Sequence, residues 1–177
     1  MQPSVISWYD FHASRLADAC EAVLPTVTCD WLADLLPSAP AVDVGIGTGR
    51  DAGAFAAAGY EVIAVEPSSG MRAEAERLHP LQRIRWLVDS LPSLTTASCS
   101  GITVDVVSLS AVWQHVAPAD RHWAFRKLVG LLRSGGRLLV ITLRHGLDDG
   151  RGGHPVSLSE VESLARDHGM QRHCHVV

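Results

Sequence analysis

The chain has 177 residues, of which 47% are hydrophobic and 19% are charged, and its formal net charge is -4 at neutral pH. This composition is typical of one globular domain with a full core, and it disfavours a disordered or membrane-embedded chain. A net negative charge without a basic face also disfavours general nucleic-acid binding, because such binding requires cations that neutralise phosphates.

The N-terminal segment and the cysteines bear on the compartment. The segment MQPSVISWYDFHASR lacks the basic start and uninterrupted apolar core of a signal peptide, and no stretch of the chain has the length of a membrane span. The four cysteines are scattered, without a CxxC pair, which is typical of free thiols in a reducing compartment. We therefore predict a cytoplasmic protein that does not associate with membranes.

In chain order, the predicted elements begin with two helices, over Pro3–Leu24 and Thr28–Leu36. Apolar runs rich in Val, Ile and Leu then predict strands over Ala41–Val44, Val62–Val65, Ile84–Val88, Val104–Leu109 and Arg137–Thr142. Segments with helical spacing predict helices over Asp51–Ala58, Ser69–Leu78, Ala119–Leu132 and Ser157–His168, and a last strand is predicted over Met170–Val177. Apolar strands separated by helices favour a doubly wound, mostly parallel α/β sheet of about six strands, with helices on both faces.

The loop after the first predicted strand, in VDVGIGTGRDA, has glycines at three alternate positions. Glycines there permit positive φ and let backbone N–H groups approach a ligand beyond the carboxyl ends of the strands. The segment from Gly47 to Ala52 also matches the dinucleotide motif GxGxxA. However, Asp43 lies within the strand, and Asp51 lies in the first helical turn, where its charge would repel a pyrophosphate. A neutral or cationic ligand therefore fits this loop better.

Glu66 ends the second predicted strand. A carboxylate at that place can accept two hydrogen bonds from the hydroxyl groups of a ribose. Glu66 therefore indicates an adenosine-containing ligand, but by itself it does not choose between NAD and other adenosine cofactors.

The pattern AVDVGIGTGR, followed in order by EVIAVEPS, IRWLVDSLP and ITVDVVSLSAVWQHV, resembles the class I S-adenosylmethionine-dependent methyltransferases from about Ala41 to Thr142. The resemblance implies a Rossmann-like fold that binds S-adenosyl-L-methionine and releases S-adenosyl-L-homocysteine. It implies that the cofactor is held by Asp43, Gly45, Gly47, Gly49, Glu66, Pro67, Met71, Asp89, Ser90 and Ser110.

Individual roles follow from the same resemblance. Asp43 is implied to hold the amino group of the methionine moiety, and the Asp89–Ser90 pair is implied to bind the adenine. The residues themselves leave an alternative open for that pair, because Asp-Ser before Leu-Pro is also good chemistry for a turn or a helix cap.

Methyl transfer to the acceptor implies an in-line attack, for which the protein mainly aligns the reactants and excludes water. A general base is needed only where the acceptor must lose a proton. His115, just beyond the fourth predicted strand, and His145, beside Arg144 beyond the fifth, are the candidate catalytic residues. Structural alternatives stay open for both, because His115 could cap or pack beside a helix, and His145 lies in a glycine-rich segment typical of a flexible linker.

Two further groups of side chains have competing interpretations. Trp8, Tyr9 and His12 lie on the first predicted helix, which in the resembling family can cover the cofactor, although aromatic residues on one helical face are more often core. His173 and His175 would point to one face of a strand, but no third ligand has convincing spacing, so we predict no metal site.

The sequence departs from the family at its C-terminal end. The family's sheet has seven strands, whereas this chain stops at the predicted sixth, so either the seventh strand is lost or the chain is a truncated product. We predict one domain over residues 1–177, with a helical cap at 1–37, a cofactor-binding core at 41–142, and a helix and strand at 143–177. The edge left exposed could be covered by a second subunit in a homodimer.

The resulting hypothesis is an S-adenosylmethionine-dependent methyltransferase that acts on a small-molecule acceptor. No aromatic-proline tetrapeptide follows the fourth strand, where SAVW stands, so methylation of adenine or of glutamine amides is disfavoured. Two alternatives remain at this level: an NAD-dependent oxidoreductase, and a cofactor-binding module without catalytic activity.

Overall fold

The computed structural model describes residues 3–23, 40–141 and 151–172. Helix α1 (Pro3–Glu21) precedes strand β1 (Ala41–Val44), and the chain then alternates through α2 (Arg50–Ala57), β2 (Val62–Val65), α3 (Ser69–Leu78), β3 (Ile84–Leu87), α4 (Thr95–Cys99) and β4 (Val104–Ser110). Two 3₁₀ turns, Trp113–His115 and Pro118–Asp120, lead into α5 (Arg121–Val129), β5 (Leu132–Ile141) and α6 (Leu158–Asp167).

The strands form one sheet in the order β3-β2-β1-β4-β5, and every neighbouring pair is parallel. The predicted doubly wound fold is therefore confirmed, with five strands in the described ranges. The strand order reverses between β1 and β4, and such a reversal opens a crevice at the carboxyl ends of the strands. The glycine-rich loop after β1 and the segment after β4 both lie at this crevice.

Alternating side chains of the strands divide the core between the two faces of the sheet. On one face, Ala41 and Val62 pack with Phe55 of α2 and Ala75 of α3. On the other face, the buried apolar residues come from the strands and from the helices after β3, β4 and β5, among them Val42, Val107, Ala97, Phe125 and Leu164. The inner strands β1, β2 and β4 are thus covered on both sides, which is why their sequences are mostly apolar, whereas the edge strands β3 and β5 are partly exposed.

The fifth strand differs from its prediction. Leu132 already pairs with Val104, and Arg137 pairs with Val106, so the residues between them form an irregularity in the ladder. Gly135, with φ 81°, lies in this irregularity and does not make the predicted reversal from helix to strand. The helix predicted over Ala119–Leu132 consequently ends earlier, at Val129, because Leu132 already belongs to strand β5.

Other differences concern short or terminal elements. Helix α4 was not expected, since five residues carry too little periodicity to predict a helix. Residues 170–172 form no strand, and the remainder of the predicted strand to Val177 lies outside the described residues, as does the predicted helix Thr28–Leu36. None of the helices within the described ranges is long and apolar enough to cross a membrane.

Candidate active site

A cleft opens at the crevice between β1 and β4. Its walls come from helix α1, the glycine-rich loop, the end of β2, helix α3, the segment after β4 and residue 151. The lining residues include Tyr9, Asp43, Gly45, Gly47, Asp51, Glu66, Met71, Ser110, His115 and Arg151. The fold thus brings most of the predicted cofactor residues to one cavity, together with His115.

The glycine-rich loop has the backbone conformation that its sequence predicts. Gly45, Gly47 and Gly49 have φ values of 69°, 57° and 82°, a region that side chains disfavour. At Gly45 there is also no room, because a Cβ atom would lie 2.5 Å from Cγ2 of Val112. The loop therefore keeps a bare backbone against β4, and it continues into α2, whose N-cap is Gly49.

We expect Gly45→Ala to destabilise the protein by about 2–4 kcal/mol, through a strained φ and a collision with Val112. Gly101→Ala is the matched control, because Gly101 has the same φ of 69° and no atom within 4 Å of the added Cβ. Chemical denaturation of both variants separates the two costs. Equal midpoints for the two variants would show that the contact with Val112 adds nothing.

Asp43 lies at the floor of the cleft and is 2% exposed. Its Oδ2 atom and Oγ of Ser108, its register partner on β4, make no hydrogen bond of normal geometry in the described part of the chain, although the nearby Ser108 hydroxyl acts to lower the pKa of Asp43. Burial raises the pKa of Asp43 to about 8, and the negative charge of Asp51 contributes in the same direction. Such an orphaned buried acceptor is suited to a cationic group of a ligand, because a pairing cation would satisfy it.

Glu66 connects the two loops that border the cleft. Its Oε2 atom accepts a hydrogen bond from Gly47 N at 3.1 Å, and its Oε1 atom accepts one from Ser68 N at 2.9 Å. Burial raises the pKa of Glu66 to about 7, although these two hydrogen bonds oppose the shift. Each carboxylate oxygen retains a second lone pair, so Glu66 can still accept from ribose hydroxyls in the cleft.

Asp51 is paired within its own helix. Its two oxygens accept hydrogen bonds from Nε and Nη2 of Arg50 at 2.9 and 3.0 Å. The charge predicted to repel a pyrophosphate is therefore partly offset by its neighbour, while both residues still line the cleft.

Helix α1 closes one side of the cleft and is fastened to the core by polar contacts. Oδ1 of Asp10 accepts hydrogen bonds from Ser68 Oγ at 2.7 Å and from Gly70 N at 2.8 Å, at the start of α3. At the other end of α1, Glu21 Oε1 accepts from Thr48 Oγ1 of the glycine-rich loop at 2.6 Å. These contacts hold the helix against the two loops that border the cleft.

The aromatic residues of α1 separate into two groups. Trp8 and His12 stack on each other, with ring centroids 4.0 Å apart, on one face of the helix as their spacing predicts. Neither ring lines the cleft, whereas Tyr9 does. A covering role for this helix therefore rests on Tyr9 and on apolar neighbours such as Ile6 and Leu16, and its lid function stays a prediction.

His115 lines the cleft and is 4% exposed. Its Nε2 atom is 3.1 Å from the Tyr9 hydroxyl, and its Nδ1 atom is 2.8 Å from the carbonyl oxygen of Gly152. Neighbouring Ala111 has φ 56°, a strained value for a residue with a side chain. The segment after β4 is thus bent so that its backbone and His115 face the cleft.

Other predicted residues stand apart from the cleft. The carboxylate of Asp89 accepts hydrogen bonds from Ser90 N at 2.8 Å and from Ala97 N at 2.9 Å, which is the turn-and-cap alternative. Four of the predicted cofactor residues are not among the lining residues: Gly49, Pro67, Asp89 and Ser90. Their roles, like those of the residues that line the cleft, stay predictions. His145 and Arg144 lie outside the described residues, as do His173 and His175.

Sequence reasoning missed Arg151, which enters the cleft from the segment before α6. Its guanidinium lies over the Trp8 ring, 5.7 Å from the centroid. No local pattern marks this arginine, because its position depends on contacts with α1 and with the segment after β4, which periodicity does not report. In the described ranges, no group of three or more His, Cys, Asp or Glu side chains could hold a metal ion.

A doubly wound sheet with a glycine-rich loop and an acid after the second strand defines a protein that binds a nucleoside cofactor. A family model described as a methyltransferase domain matches residues 42–140. The chain therefore belongs to this family, as a class I S-adenosylmethionine-dependent methyltransferase, and the resemblance seen in its sequence is confirmed.

Individual relatives agree with this assignment. The chain is 32% identical over 117 residues to the biotin biosynthesis bifunctional protein BioHC of Cellvibrio japonicus (strain Ueda107), and it spans only 22% of the length of that protein. A DhpI–SAH complex has a TM-score of 0.69 at 18% identity, covering 93% of this chain and 85% of that one. A 1,6-didemethyltoxoflavin-N1-methyltransferase of Burkholderia thailandensis also has a TM-score of 0.69, at 20% identity, covering 93% of this chain and 75% of the other. These structural likenesses concern the fold.

Proposed function

We propose that the protein transfers a methyl group from S-adenosylmethionine to a small-molecule acceptor in the cleft beside β1 and β4. The observation that carries this proposal is the buried Asp43 carboxyl, whose Oδ2 atom has no hydrogen-bond partner within the described residues and lies beside a bare glycine backbone. An ammonium group is the natural partner for such an acceptor.

The residues of the cleft fit the cofactor at both ends. Asp43 would hold the amino group of the methionine moiety, and Glu66 would accept from the ribose. Gly45 and Gly47 present only backbone to the cleft, and a side chain at Gly45 would strike Val112 while one at Gly47 would contact Met71. Asp89 and Ser90 remain the proposed adenine contacts.

When bound, the cofactor supplies a methyl group on a sulfonium centre that is already activated for displacement. The protein's own work is then to orient an acceptor and to keep water away. Helix α1 excludes water on one side through Ile6, Tyr9 and Leu16, and His115 is placed to take a proton from an acceptor that carries one. His145, beyond β5, is the second proposed catalytic residue.

A small acceptor is supported by the cleft and by what the relatives are named for. Helix α1 and the segment around Arg151 leave a confined space, which suits a small molecule better than a folded macromolecule. One structural neighbour bears the name of an enzyme for 1,6-didemethyltoxoflavin, and others are named as glycopeptide N-methyltransferases. A cytoplasmic location, the lack of general nucleic-acid binding and a homodimer through a sheet edge also stay predictions.

Calorimetry with S-adenosylhomocysteine tests the cofactor site. We expect binding to the native protein and a loss of affinity of about 10- to 100-fold in Glu66→Gln, because an amide is a poorer acceptor for the ribose and for Gly47 N. Glu61→Gln is the control, since Glu61 forms only an exposed pair with Arg83 and should bind like the native protein.

Absence of heat with the native protein would contradict the proposed function, whereas an unchanged affinity in Glu66→Gln would contradict only the role of Glu66. Binding without methyl transfer to any of a set of small acids, amines and phenols, followed with labelled cofactor, would favour a cofactor-binding module.

A further inference from the structure

Tyr9, His115 and Arg151 meet in one corner of the cleft, although they come from three distant parts of the sequence. Tyr9 belongs to α1, His115 follows β4, and Arg151 precedes α6. The segment with Arg151 is held in place because His154 N donates to Gln114 O at 2.8 Å and Val156 is buried in the core. The three side chains are therefore fixed against one another by packing of the whole fold.

The protonation of His115 follows from its partners. A carbonyl oxygen only accepts, so the 2.8 Å contact with Gly152 O requires that Nδ1 of His115 carries the proton. In the neutral imidazole, Nε2 is then the acceptor, and the Tyr9 hydroxyl at 3.1 Å must be its donor. The Tyr9 oxygen also accepts from the Arg151 guanidinium, which leaves its second lone pair for a group in the cleft.

The positive charge of Arg151 affects which acceptors are favoured in this corner of the cleft. Burial raises the pKa of Tyr9, and the charge of Glu66 adds a smaller effect in the same direction, whereas the hydrogen bond and charge of the neighbouring Arg151 guanidinium act to lower it. A fixed cation stabilises negative charge that develops next to it. An amine nucleophile would gain positive charge as it attacks, so Arg151 disfavours it, and a carboxylate needs no base at all.

We propose that Tyr9 is a catalytic residue that deprotonates the acceptor through His115, and that the acceptor is a hydroxyl compound of phenol or enol type. This inference rests on the proposed methyl transfer and names the substrate class for the same cleft. The acceptor hydroxyl gives its proton to Tyr9 Oη, while the Tyr9 proton passes to Nε2 of His115, which becomes an imidazolium stabilised by Gly152 O.

Methyl transfer forms one bond, breaks one bond and releases one proton. The acceptor oxygen uses its electron pair to bond the methyl carbon, and the electron pair of the broken carbon–sulfur bond stays on sulfur. The imidazolium of His115 then loses its proton to water, so one proton is released in each turnover. Arg151 is a positioning residue, which holds the Tyr9 oxygen and stabilises its transient anion.

The first test needs no acceptor. Nuclear magnetic resonance of histidine-labelled protein bound to S-adenosylhomocysteine should show His115 with a protonated Nδ1 and a hydrogen-bonded, unprotonated Nε2. Tyr9→Phe should remove the hydrogen-bond shift at Nε2 and leave affinity for S-adenosylhomocysteine within threefold. Tyr60→Phe is the matched control, because Tyr60 is the second of only two tyrosines and packs against Phe55 in the core. A protonated Nε2, or a spectrum that Tyr9→Phe leaves unchanged, would overturn the relay.

The second test uses phenol, aniline and benzoate as acceptors with labelled cofactor. We expect transfer to phenol in preference to the other two, and a loss of about 100-fold or more in Tyr9→Phe, in the range of general-base catalysis. Preferred methylation of aniline or benzoate, or full activity of Tyr9→Phe on phenol, would overturn the inference and leave the proposed methyl transfer intact. Failure of the native protein to bind S-adenosylhomocysteine would instead overturn the proposed function itself.

Discussion

Asp43→Asn is expected to abolish most cofactor affinity while making the unliganded protein more stable. The carboxyl is 2% exposed, and its Oδ2 atom has no hydrogen-bond partner in the described ranges, so the ionised carboxylate destabilises the unliganded fold and a bound cation relieves that cost. An asparagine cannot pair with an ammonium group as an anion does, and we expect affinity for S-adenosylhomocysteine to fall by about 10- to 100-fold.

The stability gain should depend on pH with a definite sign. The pKa of Asp43 rises from 3.8 in the unfolded chain to about 8 in the fold, so the folded state holds an extra proton between these values. The free energy of unfolding of the native protein therefore decreases as the pH rises through this window. The Asp43→Asn variant lacks the titrating carboxyl, so its stability does not show this decrease. The advantage of the variant should be small near pH 4 and reach the order of a few kcal/mol near pH 8.

Chemical denaturation at several pH values, together with calorimetry, checks both parts. Asp105→Asn is the control, because Asp105 lies on β4 in a solvent-accessible pair with Arg133, 2.8 Å away, where an ion pair contributes little. The native protein should also bind S-adenosylhomocysteine more tightly as the pH rises towards 8, since binding requires the ionised carboxyl. A variant that is less stable than the native protein near pH 8, or that binds equally well, contradicts this account of Asp43.

The parts of the fold that sequence predicts well are those set by local pattern. β1 and β2 have the predicted bounds, because an apolar run between turn residues is sufficient to define a buried parallel strand. The glycine-rich loop is equally local, since positive φ at Gly45 and Gly49 depends on the residue type itself. The acids at the ends of these strands follow once the strand bounds are right.

The remainder depends on contacts between distant segments. Tyr9 and His115 are 106 residues apart in sequence, and nothing near either of them indicates the partner. Gly135 illustrates the same limit at the level of elements, because a double glycine looks like a turn, yet pairing of Leu132 with Val104 extends the strand past it. Hydrophobic periodicity indicates which face of a helix or strand is buried. It does not indicate which other element packs against that face, and these features depend on that packing.

An ion pair between buried Arg121 and partly exposed Glu160 joins helix α6 to the core. Arg121, at the start of α5, is 2% exposed, and its Nη1 atom donates to Glu160 Oε2 of α6 at 2.6 Å. Its Nε atom donates to Val116 O at 3.1 Å, while Nη2 is buried without a hydrogen-bond partner in the described residues. Glu160 is therefore the counter-charge on which the burial of Arg121 depends.

Glu160→Gln is expected to destabilise the protein by about 2–4 kcal/mol, because it leaves the buried guanidinium of Arg121 without its anion. Glu162→Gln is the matched control on the same helix, since Glu162 pairs with Arg172, whose side chain is 55% exposed, and its loss should cost less than about 1 kcal/mol. Urea denaturation of the two variants makes the comparison. Equal losses of stability would mean that burial of Arg121 does not depend on Glu160, and that apolar contacts such as those of Leu164 hold α6 on the core.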